Sequence, residues 1–158
     1  MILDDRLEFA DATALNTGSA GTYNIGDVID THGPTIGHNS GQNITRDLGN
    51  DSELYLVVRV ATAATSGGSA TLQVRLVSDD TATPSTTAAT VHATSAAIPV
   101  ASLTAGATVM VMRLPSGSYE RYVGVQQITG TAAFTGGALD AFLTSDPSNW
   151  RAYADNVA

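Results

Sequence analysis

The apolar residues of this sequence fall into short alternating runs separated by turn signals, and no longer stretch has the period of an α-helix. In Leu54–Ala61 both alternating faces are largely apolar, which is typical of a central strand. In Leu72–Leu76 the apolar residues alternate with Gln73 and Arg75, which predicts one buried and one outer face. About seven or eight such runs recur along the chain, so we predict an all-β fold, a jelly-roll β-sandwich of about eight antiparallel strands.

Two turn signals suggest how neighbouring strands connect. Thr65–Gly68 and Pro115–Ser118 are rich in glycine, serine and proline, and each lies between two predicted strands. We therefore expect each to reverse a β-hairpin. The first hairpin would place Arg59 and Arg75 on the outer faces of adjacent strands.

The runs and turns divide the chain into three parts. Residues 1–20 show no firm period, and we expect them to form an N-terminal arm that packs on the domain or on a neighbour. Residues 21–146 form the predicted jelly-roll domain, and residues 147–158 a short polar C-terminal tail. The domain contains a glycine-rich loop at 31–50, and a loop of that length is usually functional or flexible.

The charge balance limits the partners. The chain has 15 acidic residues against 7 basic ones, a formal net charge of −8 and no cysteine. All the basic residues are arginines, because the sequence contains no lysine. Such a chain repels phosphates and anionic lipid surfaces, so we expect neither nucleic acid nor membrane as a partner. The acidic start at Asp4–Asp5 does not suit a signal peptide, and we expect a soluble protein made in a cytoplasm.

Three histidines are the obvious candidates for a metal site. His32 and His38 flank a glycine-rich stretch, whereas His92 lies in a distant strand. Ordering the loop around a metal would cost much conformational entropy, so we predict no metal and no cofactor. The acidic pairs lie beside turns, where aspartate commonly accepts backbone N–H groups; they are Asp4–Asp5, Asp27 with Asp30, and Asp79–Asp80.

A serine nucleophile would need a strained turn with glycines two residues to either side. In Gly37–Gly41 the serine is displaced by one place from that pattern. No phosphate-binding glycine-rich motif ends in Lys-Ser or Lys-Thr. The sequence offers no catalytic constellation, and we predict that the protein is not an enzyme.

The C-terminal tail combines the residue types that are enriched at binding hot spots. Trp150 is the only tryptophan, and Arg151 and Tyr153 follow it closely. Two interpretations remain: the tail binds a partner, or Trp150 folds back over an exposed edge of its own domain.

Several short segments, in order along the chain, resemble the Bbp16 family of phage capsid cement proteins. No single segment is specific, but together they span roughly residues 1–145. The similar segments are Met1–Asp4, Phe9–Ala12, Arg46–Gly49, Leu54–Val60, Ala70–Val74, Ser78–Asp80, Ala97–Val100, Arg113–Pro115, Glu120–Tyr122 and Phe134–Gly137. Residues 31–45 and the tail after Asp146 depart from the family pattern.

The resemblance implies a jelly-roll that attaches to the outer surface of a virion, on a shell of major capsid protein with the HK97-type fold. It carries over no catalytic residues. We expect a symmetric homo-oligomer, a dimer or trimer, over a capsid symmetry axis. Arg46 could form charge-assisted bonds across the interface beside Asp47. The expected contact residues are Ile2, Leu3, Asp4, Arg6, Arg46, Asp47, Trp150, Arg151 and Tyr153.

Two other functions are compatible with a jelly-roll. One is a carbohydrate- or receptor-binding module on the virion, which would need exposed aromatic residues on one face. The chain has only nine aromatic residues (3 Phe, 1 Trp, 5 Tyr), and most lie at alternating positions typical of the core. The other is a cupin-type metalloenzyme, which would need its histidines on strands facing the barrel interior.

Overall fold

The computed structural model describes residues 7–33, 44–45 and 53–150. The regular structure in these ranges is extended apart from short 3₁₀ turns, among them Val100–Ser102 and Pro147–Trp150. The strands are β1 (Glu8–Ala14), β2 (Gly21–Asp30), β3 (His32–Gly33), β4 (Ile44–Thr45), β5 (Tyr55–Ser66), β6 (Thr71–Asp79), β7 (Thr90–Thr94), β8 (Ile98–Pro99), β9 (Thr108–Arg113), β10 (Tyr122–Gly130) and β11 (Phe134–Thr144). In the described ranges, no helix is long and apolar enough to cross a bilayer.

The eight longer strands and β8 form two facing sheets, β3 and β4 pair with each other in a separate two-stranded sheet, and every pairing is antiparallel. Sheet 1 has the order β1-β11-β5-β9, and sheet 2 has the order β2-β10-β6-β7, with β8 also paired to β6. Among the eight longer strands, the first pairs with the last, the second with the seventh, the third with the sixth and the fourth with the fifth. This nested pairing is the jelly-roll arrangement, so the predicted fold class is confirmed.

The core lies between the sheets and follows the period of two. Leu72, Val74 and Leu76 of β6 are fully buried, as the sequence predicted, and belong to the same apolar cluster as Leu56 and Val58 of β5. Burying each such side chain contributes roughly 1.5–3 kcal/mol to folding. β5 is also a central strand, as predicted, since it pairs with both β11 and β9.

Both predicted hairpins are wrong. Residues 67–70 and 114–121 each lead from sheet 1 to sheet 2, because β5 and β6 lie in different sheets, as do β9 and β10. Arg59 and Arg75 are therefore not on adjacent strands. A glycine-rich turn reverses the chain equally well within one sheet or across the roughly 10 Å to the facing sheet, so the turn residues alone do not distinguish the two.

The first strand in the described part of the chain begins at Glu8, within the predicted arm. Part of the predicted arm forms β1, which pairs with β11 at the edge of sheet 1, and Phe9 and Ala10 are in the core. The register between β1 and β11 shifts twice, and Ala12 between these pairs has a φ of 43°. These bulges break the alternation, which is why the sequence shows no strand period here.

Candidate functional site

The two ends of the sandwich are built differently. At one end, which we call the closed end, three short connections pass between the sheets, at 15–20, 67–70 and 131–133. The longer connection from β7 to β9 lies at the same end. At the other end, the open end, lie the start of β1, both ends of the segment between β2 and β5, the connections β6–β7 and β9–β10, and the end of β11.

The two ends also differ in charge. The closed-end segments 15–22, 65–72, 95–107 and 130–137 contain no charged residue. The strand ends and connections at the open end carry the following charged residues: Glu8, Asp30, Glu53, Asp79, Asp80, Arg113, Glu120, Arg121 and Asp146. Charged side chains are therefore concentrated at the open end, while the closed-end segments carry only uncharged side chains.

The predicted contact residues lie outside the described residues, except that the backbone of Trp150 ends a 3₁₀ turn. The structure nevertheless fixes where their segments join the sandwich. Glu8 pairs with Phe142 and Thr144 pairs with Tyr55, so the start of β1, the end of β11 and the start of β5 lie at one end of sheet 1. Asp30 at the end of β2 lies at the same end of sheet 2.

One connection holds both ends of the long segment between β2 and β5. In the β9–β10 connection (residues 114–121), the Leu114 N–H donates to the Leu54 carbonyl at 2.9 Å. The Thr31 N–H and hydroxyl both donate to the Arg121 carbonyl at 2.8 Å. Both described ends of the long segment, at Thr31 and Leu54, are therefore bonded to the same eight-residue connection.

Arg121 and Asp30 add an ion pair at the first of these points. The guanidinium donates two hydrogen bonds to the carboxylate, at 3.0 and 2.9 Å, and lies 4.8 Å from the centre of the Tyr122 ring. The bonds from Asp30 raise the pKa of Arg121. Both side chains are well exposed, so the pair orients the end of β2 more than it stabilises the fold.

Asp79 organises the start of the β6–β7 connection. Its carboxylate accepts the Ser85 N–H at 2.8 Å and the Thr81 N–H at 2.9 Å, in the capping role that the sequence predicted for this acid. These bonds, that from Ser85 first, lower the pKa of Asp79. The connection lies against sheet 2, where Arg75 donates to the Thr86 carbonyl at 2.7 Å.

Sequence reasoning missed a polar network on this face of sheet 2. Gln126 is fully buried in β10, accepts a bond from Arg75 at 2.7 Å, and donates to Asn24 at 2.7 Å. Its amide also contacts the Pro84 and Ser85 carbonyls. The signal that could have found it is the pair of adjacent glutamines at the end of an otherwise apolar run.

His92, the one predicted metal candidate whose side chain is described, lies among Ser78, Tyr119 and Glu120. Its Nε2 is 2.8 Å from the Ser78 hydroxyl, and its ring stacks on Tyr119 with the centroids 3.9 Å apart. Burial raises the pKa of Tyr119 to about 12. In the described part of the chain, no group of three or more His, Cys, Asp or Glu residues could hold a metal ion.

The family model of Bbp16 matches residues 9–143, which covers all eight long strands except the ends of β1 and β11. A comparison with curated proteins finds no match. Because the matched residues make up most of the chain, the protein belongs to the Bbp16 family.

Proposed function

We propose that this protein is a bacteriophage capsid cement protein that binds the outer surface of the major capsid protein shell and stabilises the mature head without enzymatic activity. The observation that carries the proposal is the open end, where the segments with all the expected contact residues join one end of a jelly-roll. Membership of the Bbp16 family and the acidic, lysine-free composition support it.

The mechanism follows from mass action. A protein that binds only the assembled shell lowers the free energy of that state and so opposes its disassembly. Many copies bind one shell, and a dimer or trimer placed over a symmetry axis would engage two or three subunits together. Each contact then needs only modest affinity, because the second and later contacts form at high effective concentration.

The open end is the end that we expect to face the shell. It carries the acids and arginines that would form charge-assisted hydrogen bonds with capsid side chains, as expected for Arg46 and Asp47 in the segment between β2 and β5. The closed end, whose connecting segments carry no charge, would then point outwards.

Sedimentation with expanded, HK97-type shells tests the function. The protein should co-sediment with mature shells and raise their melting temperature, and it should not bind unassembled capsid subunits. A truncated variant that starts at residue 7 and a variant that ends at residue 146 should each occupy the shell less fully in electron micrographs. Full occupancy by both variants, or no binding to shells by the whole chain, would refute the proposal.

A further inference from the structure

Ser78 is fully buried at the end of β6, and its hydroxyl has three polar neighbours. The Glu120 N–H donates to the hydroxyl oxygen at 3.1 Å, a Glu120 carboxylate oxygen lies at 3.0 Å, and His92 Nε2 lies at 2.8 Å. An ionised carboxylate only accepts, so the single proton of Ser78 goes to Glu120. His92 must then donate from Nε2, which leaves Nδ1 as the nitrogen that takes up a second proton.

These contacts attach the β9–β10 connection to sheet 2. Ser78 belongs to β6 and His92 to β7, whereas Tyr119 and Glu120 belong to the connection. Tyr119 covers one face of the His92 ring, and its hydroxyl donates to the Pro115 carbonyl at 2.9 Å within the same connection. We call Ser78, His92, Tyr119 and Glu120 the His92 cluster.

Burial and the charge of Glu120 have opposing effects on the pKa of His92. Burial lowers the pKa of His92 below its usual 6.5, and the carboxylate of Glu120 opposes part of that change. The other residues of β7 are uncharged. The nearest acid on β6, Asp79, is bonded to Thr81 and Ser85, and Arg121 on the connection is paired with Asp30.

The sign of the pH dependence follows from that lowered pKa. The unfolded or detached ring binds a proton more readily than the ring in the cluster does. The stability that the cluster contributes is therefore fully present above about pH 6.5 and is lost as the pH falls towards the pKa of the attached ring. Acid thus weakens the attachment of the connection.

We propose that the His92 cluster is a pH-sensitive attachment point for the β9–β10 connection, and that a second proton on His92 loosens the connection's hold on Thr31 and Leu54 at the open end. The attachment is a property of the isolated protein. Its consequence for shell binding rests on the proposed function, because it concerns the end that we expect to face the shell.

Amide hydrogen exchange of the whole protein, followed by NMR and corrected for intrinsic rates, tests the attachment. The informative amides are Thr31, Leu114 and Glu120, which donate to Arg121, Leu54 and Ser78. Between about pH 7.5 and pH 5 their protection should fall, because the lowered pKa of His92 makes the attachment weaker in acid. The closed-end amides of Leu15 and Ala64 should keep theirs.

Two variants assign the effect to His92. His92→Gln keeps a donor towards Ser78 but does not titrate, so the pH dependence at the three amides should disappear. The matched control His32→Gln/His38→Gln removes the other two histidines of the chain and should retain it. Unchanged protection in the wild type, or a pH dependence that survives in His92→Gln, would overturn the proposal.

A third variant serves if His92→Gln does not fold. Glu120→Gln removes the charge that favours the protonated ring, so the NMR titration of the His92 ring should move to lower pH. A titration that stays in place or moves upwards would contradict the proposed cluster.

Shell binding is then compared at the two pH values. If no binding occurs at either, the proposed function fails while the exchange result still decides the attachment.

Discussion

The closed and open ends of the sandwich show how one jelly-roll can separate stability from recognition. At the closed end, β10 and β11 are joined by three residues, and the Ser66 hydroxyl donates to the Ala133 carbonyl across this connection at 2.6 Å. At the open end, the β6–β7 and β9–β10 connections are longer than this one. Side chains such as Asp30, Ser78 and Arg121 form hydrogen bonds at the β9–β10 connection.

The difference teaches where each kind of interaction is useful. Short neutral connections bring distant strands together at little entropic cost and need no charged groups. Longer connections cost more to order, and several of the side-chain hydrogen bonds that order them here are made by carboxylates, such as those of Asp30 and Asp79. We therefore expect the free energy of opening to be higher at the closed end than at the open end.

The largest effect is expected from a cavity at the closed end. Phe134 begins β11 and is buried in the core, so Phe134→Ala should lower the free energy of unfolding by about 3–5 kcal/mol. Urea denaturation measures this, with the exposed closed-end change Thr104→Ala as a control that should stay within about 0.5 kcal/mol. If Phe134→Ala lowers the free energy of unfolding no more than the control does, the closed end does not stabilise the fold as we expect.

A smaller effect is expected at Asp140, midway between the ends. Its carboxylate accepts bonds from the Arg59 side chain at 2.8 Å and from the Ala12 N–H at 2.9 Å, and it is mostly buried. Asp140→Ala should cost roughly 1–3 kcal/mol, because it leaves both donors without this acceptor. Asp30→Ala, at the exposed pair of the open end, should cost less, and thermal unfolding of the two variants measures the ranking. The reverse order would contradict it.

The smallest effect concerns acid stability at the open end. The pKa of Asp79 is lowered by its bonds to Ser85 and Thr81, so its contribution is present above the usual value of 3.8 and is lost as the pH falls below it. Asp79→Asn should therefore lose less stability than the wild type between about pH 4 and pH 2. The matched control Asp80→Asn should retain the acid loss attributed to Asp79, because the Asp79 carboxylate and its bonds to Ser85 and Thr81 remain. Parallel profiles for Asp79→Asn and the wild type would show that the bonds from Ser85 and Thr81 to Asp79 do not cause the acid loss of stability.

Alternation and composition predicted the fold class, the inner face of β6 and the central place of β5. They did not predict β1, because its bulges at Ala12 remove the strand period. They also did not predict that β10 includes Gln126 and Gln127, because this pair resembles the start of a polar loop. Each glutamine is buried because a distant segment supplies its partners: Pro84 and Asn24 for one, Asn16 for the other. Such long-range pairing has no local signal.

The candidate site was predicted only as separate segments. The sequence indicated residues 1–20, 31–50 and 147–158 as the unusual parts, but their common end follows from strand pairing, above all from Glu8 with Phe142 and Thr144 with Tyr55. The His92 cluster was likewise hidden, since its four residues come from two strands and one connection. Their side chains meet only once the jelly-roll has formed.

The most direct test of the account is which end faces the shell. The chain has no cysteine, so the exposed residues Ser116 at the open end and Ser69 at the closed end can each be replaced singly by cysteine and labelled with a maleimide. Labelling rates are compared for the protein free in solution and bound to shells. We predict that binding slows labelling of Ser116→Cys about tenfold or more and leaves Ser69→Cys unchanged. Protection of Ser69→Cys with free access to Ser116→Cys would contradict the account.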